Sequence, residues 1–65
     1  MAAYIVTYKN EQDVLILTET VFMRTLKSAK SASTLTAPEM AYSIYLYDIG
    51  DKLLAFKEKG KWINV

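Results

Sequence analysis

The last thirteen residues of the chain, Leu53 to Val65, constrain the fold most, because they read as two short strands closed around Lys59-Gly60. Glycine reaches positive φ without steric cost. The flanks, Leu53-Leu54-Ala55-Phe56-Lys57-Glu58 and Lys61-Trp62-Ile63-Asn64, mix apolar with polar residues as half-buried strands do. A closing β-hairpin commits the C-terminal half to antiparallel sheet. It also holds the only Trp of the chain beside three basic residues, Lys57, Lys59 and Lys61, and no group suited to catalysis.

A chain of 65 residues reads as a single domain, residues 1–65, and a domain of that size buries only about 60% of the surface its unfolded chain exposes. There is room for one sheet and one helix. The absence of Cys and His removes disulfides, thiolate nucleophiles, imidazole bases and the usual zinc sites, so no cofactor or metal is expected. Met1-Ala2-Ala3-Tyr4-Ile5-Val6 has no basic segment ahead of its apolar run, which Thr7 breaks, and so reads as neither a signal peptide nor a membrane span. The expectation is a soluble cytoplasmic protein without membrane contact.

The formal net charge of +1 argues against both a strongly basic nucleic-acid binder and a strongly acidic DNA mimic. The charge is nevertheless sorted. Lys9 to Glu19 holds three acids against one Lys, whereas Thr20 to Pro38 holds Arg24, Lys27 and Lys30 and no acid.

Five strands and one helix follow from the pattern. Ala3 to Tyr8 and Val14 to Thr18 are rich in β-branched and aromatic residues around the polar turn Asn10-Glu11-Gln12-Asp13, which predicts a first hairpin. Thr18 or Thr20 is suited to cap a helix with Glu19 in its first turn, and the helix is placed at Val21 to Ser33. Phe22, Leu26, Ala29 and Ser33 form its apolar stripe, widened by Val21 and Ala32, while Arg24, Lys27 and Lys30 fall on the other side near Ser28 and Ser31. Ala37-Pro38 ends it, Tyr42 to Asp48 and Lys52 to Glu58 follow as strands, and the order is ββαβββ. The fold class is α+β, a five-stranded antiparallel sheet packed on a single helix.

Two registers compete for the third and fourth strands. A three-residue loop, Ile49-Gly50-Asp51, sets Ile44 opposite Phe56, Leu46 opposite Leu54 and Asp48 opposite Lys52, which groups the aliphatics; a two-residue loop sets Tyr45 opposite Phe56. The first is preferred. With Ile63 beside Phe56 across the last turn, the helix-covered face receives Ile44, Leu46, Leu54, Phe56 and Ile63. The open face receives Tyr45, Tyr47, Leu53, Ala55, Lys57 and Trp62, an aromatic and basic patch of the kind that marks interaction surfaces.

No catalytic set emerges: the carboxylates are scattered over turns, and there is no GxxxxGK, GxSxG or HExxH. The chain does not read as an enzyme. The row Arg24, Lys27, Lys30 is either a solvated face or a contact for a negative partner, and with no acid to form i,i+4 pairs the second gains weight. The five Tyr residues are either strand formers or stacking platforms for unpaired bases, which leaves a small sheet-based single-stranded nucleic-acid binder as an alternative. Trp62 reads as a half-buried lid on the hairpin or as an interface anchor.

Ala2-Ala3-Tyr4-Ile5 at the start, Ala29-Lys30 and Ala32-Ser33 in the helix, and Leu54-Ala55-Phe56-Lys57-Glu58 with Gly60-Lys61-Trp62 at the end together resemble the small phage-encoded anti-CRISPR proteins that inhibit the type I-F (Csy) surveillance complex. The resemblance implies the same one-helix, five-stranded sheet. It implies host Cas proteins as partners, with the inhibitor bound on the Cas7-type backbone of the crRNA-guided complex in the bacterial cytoplasm. There it blocks the path of target DNA. Apart from the resemblance, the chain is expected to be a monomer or weak dimer, with DNA contact, direct or indirect, left open. Lys30 matches the basic helix contacts of that family, while Ser31 and Leu35 stand where further polar or basic contacts are expected. The partner-binding candidates are Arg24, Lys27, Lys30, Tyr45, Tyr47, Lys57 and Trp62. Another phage host-takeover protein with a different target is the remaining alternative.

Overall fold

A computed structural model describes residues 2–65, so Met1, where the N-terminal run was read to begin, lies outside the described residues. The elements are β1 (Ala2–Lys9), β2 (Leu15–Met23), α1 (Leu26–Thr36), β3 (Ser43–Tyr47), β4 (Leu53–Glu58) and β5 (Lys61–Asn64). The strands form one antiparallel sheet in the order β2-β1-β3-β4-β5, with α1 joining β2 to β3. This is the expected α+β fold in the expected ββαβββ order. No described helix is long and apolar enough to cross a membrane.

The first two hairpins are closed by loops of the same chemistry. Asn10 Oδ1 accepts from the amides of Gln12 and Val14, and Asp48 Oδ1 accepts from those of Gly50 and Lys52. The fourth residue of each loop, Asp13 or Asp51, takes positive φ, at 64° and 66°, a conformation short polar side chains tolerate. In each the first residue's amide then donates to the fifth residue's carbonyl, at 2.9 Å from Asn10 to Val14 and 3.0 Å from Asp48 to Lys52. The loop Ile49-Gly50-Asp51 is therefore the three-residue one expected. The last turn is different: Lys59 and Gly60 both have positive φ, 52° and 78°, the two-residue form whose twist matches a hairpin.

One residue past each three-residue loop the ladder slips. Tyr8 faces Leu17 whereas Lys9 faces Leu15, and Leu46 faces Ala55 whereas Tyr47 faces Leu53. Ile16 and Leu54 are thus the extra residues of two β-bulges, and both pack against the core. The bulge at Leu54 corrects the expected register: beyond it Tyr45 pairs with Phe56 and Ile44 with Lys57, even though the loop itself is the one that argued otherwise. Phe56 does sit opposite Ile63, as expected, so the slip passes unchanged into β5.

The helix-covered face consequently holds Tyr4, Val6, Tyr8, Ile44, Leu46 and Ala55, all buried, with Lys57 and Trp62 following in the same side-chain row. Phe56 and Ile63, assigned to the core by the sequence, stand on the open face, and Ala55 moves the other way. A one-residue slip inverts every side chain that follows it.

The helix start is the second correction. Residues 18–23 continue β2 to Met23, which pairs with Ala2. Glu19, Val21 and Met23 are half-buried between exposed Thr18, Thr20 and Phe22, and β1 is long enough to partner them throughout, so ladder bonds outcompete a helix nucleus in a β-branched segment. Phe22, expected in the apolar stripe, is 63% exposed. The N-cap is Thr25, with extended φ and ψ, whose Oγ1 accepts from the Ser28 amide at 3.1 Å. Leu26, Ala29 and Ser33 do face the sheet, and the small buried Ala29 and Ser33 let the helix approach closely.

Tyr8 ties the two layers together. Its ring is fully buried, and its hydroxyl lies 2.9 Å from Glu19 Oε1 on β2, 3.3 Å from the Ser33 carbonyl and 3.3 Å from Thr36 Oγ1 on α1. The single phenolic proton points to the carboxylate, the strongest acceptor, while the Thr36 hydroxyl, which also reaches the Ala32 carbonyl at 3.0 Å, completes the cluster. Glu19, expected in the first turn of a helix, instead anchors the far end of that helix to an edge strand. Burial, chiefly, raises the Tyr8 pKa above its ordinary value of 10.0, the Glu19 carboxylate adds to this, and the Thr36 hydrogen bond opposes it.

Two outcomes test this picture. Thr25→Ala is expected to lower stability by about 1 kcal/mol and Thr20→Ala to change it by no more than about 0.5 kcal/mol, measured by urea denaturation. The reverse ranking would restore the earlier helix start. Because the folded state holds Tyr8 neutral, its contribution is complete below pH 10 and is lost as pH rises through the elevated folded value. Tyr8→Phe should therefore start less stable by about 1 kcal/mol and lose less of its stability than the native chain between about pH 9 and pH 11.

Candidate functional site

One helix does not span even one face of this sheet. Five strands at about 4.8 Å spacing are roughly 19 Å across, whereas a helix with its side chains is about 10 Å wide. α1 lies over the β2 and β3 side. A strip over β4 and β5 stays open, and the helix flank becomes one wall of a cleft above it.

That cleft has a volume of about 530 Å³ and is lined by Lys27, Lys30, Ser31, Thr34 and Leu35 from α1 and by Lys57 and Trp62 from the closing strands. Lys57 faces Trp62 directly across the β4–β5 ladder. The Lys30 ammonium lies 5.8 Å from the centroid of the Trp62 ring and hydrogen-bonds Asn64 Oδ1 at the end of β5. Lys57 Nζ donates to Thr34 Oγ1 at 3.4 Å, and Thr34 in turn donates to the Lys30 carbonyl at 2.9 Å.

These partners are all neutral. Among the described residues the one ion pair is Lys9 with Asp13, at 3.5 Å on the other side of the molecule, and no carboxylate lines the cleft. Three ammonium groups thus share a concave site with an indole and with Leu35, which is 85% exposed. The arrangement suits an anion that also presents an apolar surface. Among the described residues no cluster of three or more His, Cys, Asp or Glu is placed to hold a metal ion.

The expected contact residues divide among three places. Lys27, Lys30, Lys57 and Trp62 come together in the cleft, although Lys57 and Trp62 were assigned to the open face. Tyr45 and Tyr47 do stand on the open face, where the Tyr45 ring stacks on Phe56 at 6.0 Å and 20° and Lys9 Nζ lies 4.9 Å from its centroid. Arg24 stands in the exposed bend between β2 and α1, outside the helix and outside the cleft. Thr34 was missed as a site residue. The signal that could have found it is its position four residues after Lys30 and three after Ser31, on the same helix flank.

The open face differs in charge. Beside Tyr45, a cavity of about 180 Å³ is lined by Glu11, Asp13 and Glu58 with Asn10, Tyr42 and Ser43. The stacked aromatics there border carboxylates, whereas Trp62 borders lysines. The charge sorting along the chain carries over only in part: Glu11 and Asp13 line this cavity with Lys9 beside them, whereas Glu19 turns to Tyr8 on the helix side.

No protein-family model, curated protein or solved structure matches the chain.

The cleft gives a testable electrostatic signature. Like charges without counter-charges repel, so moderate salt should stabilise the native chain. Lys57→Gln is expected to change stability by less than about 0.5 kcal/mol at any one salt concentration and to reduce this salt response, measured by thermal or urea unfolding.

Proposed function

We propose that this protein acts without chemistry of its own, as an inhibitor that binds a type I crRNA-guided surveillance complex on its Cas backbone and keeps target DNA from its path. The observation that carries the reading is the convergence of Lys27, Lys30 and Lys57 around Trp62 in a cleft with no acid. The resemblance of the first strand, the helix and the closing hairpin to small anti-CRISPR proteins supplies the partner.

Such a role needs a compact wedge with a firm anchor and charges that match its seat. An aromatic side chain beside long cations is the usual make-up of an interface hot spot, since it combines large desolvated area with directed charge. In this reading Trp62 and Leu35 form the apolar anchor, and the lysines engage anionic groups on the complex. A net charge near zero suits a protein that grips a ribonucleoprotein locally and does not imitate DNA. The carboxylates beside Tyr45 would oppose phosphates on the open sheet face, which weighs against the Tyr-based single-strand reading there.

The test is capture from a lysate that contains the assembled complex. The tagged chain should retain a stoichiometric complex and suppress target-DNA binding. The pair Lys27→Glu with Lys30→Glu should reduce both at least tenfold while the circular dichroism spectrum stays native. Undiminished capture by that pair would overturn the assignment of the cleft, and failure of the native chain to capture any Cas subunit would overturn the function.

A further inference from the structure

The chemistry of the cleft narrows what can occupy it. Its three cations stand on two elements: Lys27 and Lys30 are neighbours one turn apart on α1, and Lys57 approaches from β4. Between them lie the half-buried Trp62 ring and the exposed Leu35 side chain. A free phosphate would use the lysines and leave the indole idle. An acidic peptide would likewise find cations but no match for a flat ring. A ligand with a planar π surface flanked by repeated negative charges uses every group, and a volume of about 530 Å³ lies within the range of sites that enclose one small ligand unit.

We propose that the cleft binds single-stranded nucleic acid, with one unpaired base stacked on Trp62 and the adjoining phosphates held by Lys27, Lys30 and Lys57. The inference rests on the reading above only in taking the cleft as the binding surface, and it names the chemistry received there. Paired bases are excluded by their own stacking, because a duplex offers its edges and phosphates but no free face to an indole. Sequence preference should be slight, since every base has a π face and the cleft places lysines where phosphates pass. To bring the base onto the ring, Lys30 must move from above Trp62, and the phosphate it then meets replaces its contacts with the ring and with Asn64.

Trp62 is the only Trp in the chain, so its emission reports on the site itself. The experiment titrates the purified full chain at low salt with an eight-nucleotide oligothymidylate and with its oligouridylate counterpart. An abasic strand of equal length and a short polyglutamate serve as controls. Saturable quenching by both oligonucleotides is expected, with affinity falling by a slope of about −2 against the logarithm of salt concentration, as three phosphate contacts on a single strand require. Lys57→Gln should reduce that slope by about 0.7, and Lys27→Glu should weaken binding at least tenfold. Trp62→Phe, followed by anisotropy of a labelled oligonucleotide, should retain binding within about threefold, because a smaller ring still stacks.

Unchanged emission at saturating oligonucleotide would overturn the proposal. So would an abasic strand or polyglutamate bound as tightly as oligothymidylate. Capture of the crRNA-guided complex by a chain that ignores oligonucleotides would reject this inference and leave the inhibitor reading standing. Oligonucleotide binding without capture would support the inference and reject that reading.

Discussion

A single extra residue in β4 decides which face of the closing hairpin looks where. The three-residue loop from Asp48 to Lys52 starts the β3–β4 ladder in one register, and the bulge at Leu54 moves it to the next. From Ala55 onward every side chain is inverted relative to the unbulged ladder, and the Phe56–Ile63 pairing hands the inversion to β5. Lys57 and Trp62 thereby reach the helix side, where Lys27 and Lys30 stand. Without the bulge they would share the open face with Tyr45, and the molecule would have no basic cleft. Leu54 itself is turned onto the core, so the bulge adds apolar burial as it redirects the strand.

The rest of the fold is a small core held at a few firm points. The largest fully buried side chains are Tyr8, Leu46, Val6 and Ser33, and two of these four carry hydroxyls. Both hydroxyls have partners, as buried polar groups must: Tyr8 reaches Glu19, and Ser33 donates to the Lys30 carbonyl at 3.0 Å. An eleven-residue helix with several Ser and Thr residues has little stability of its own. It is held by Leu26, Ala29 and Ser33 against the sheet and by the Tyr8 hydroxyl near its end. Seating the helix toward β2 and β3 is also what leaves β4 and β5 uncovered, so the packing that completes the core opens the cleft.

The two sides of the sheet then offer different chemistry. On one, stacked Tyr45 and Phe56 adjoin Glu11, Asp13 and Glu58; on the other, Trp62 adjoins three lysines. A cleft lined by lysines without acids, set against a face where Lys9 and carboxylates mix, orients a small protein on a charged partner before any close contact forms. For a near-neutral chain, that local separation makes selective binding of a polyanionic assembly physically reasonable, where its net charge would predict little attraction at all.

The chain alone determined the element order, the closing Lys59-Gly60 turn, the three-residue loop at Ile49-Gly50-Asp51 and the helix positions Leu26, Ala29 and Ser33 that meet the sheet. Each depends on contacts within a few residues or on a short-period pattern. It also contained a clue to the bulge that the grouping of aliphatics obscured. The loops that start at Asn10 and Asp48 are each followed by adjacent aliphatics, the run Val14 to Leu17 and the pair Leu53-Leu54, and each supplies the extra residue of a bulge. The helix start was hidden because Thr18 to Met23 has residues that suit a cap and first turn as well as a strand, and only the length of β1 opposite them resolves the choice. The site was least legible. Lys27 and Lys30 are neighbours on one helix, but their meeting with Lys57 and Trp62 depends on a register slip and on where the helix rests across the sheet. The seat of the helix is a property of distant segments packed together, and no local pattern in the chain encodes it.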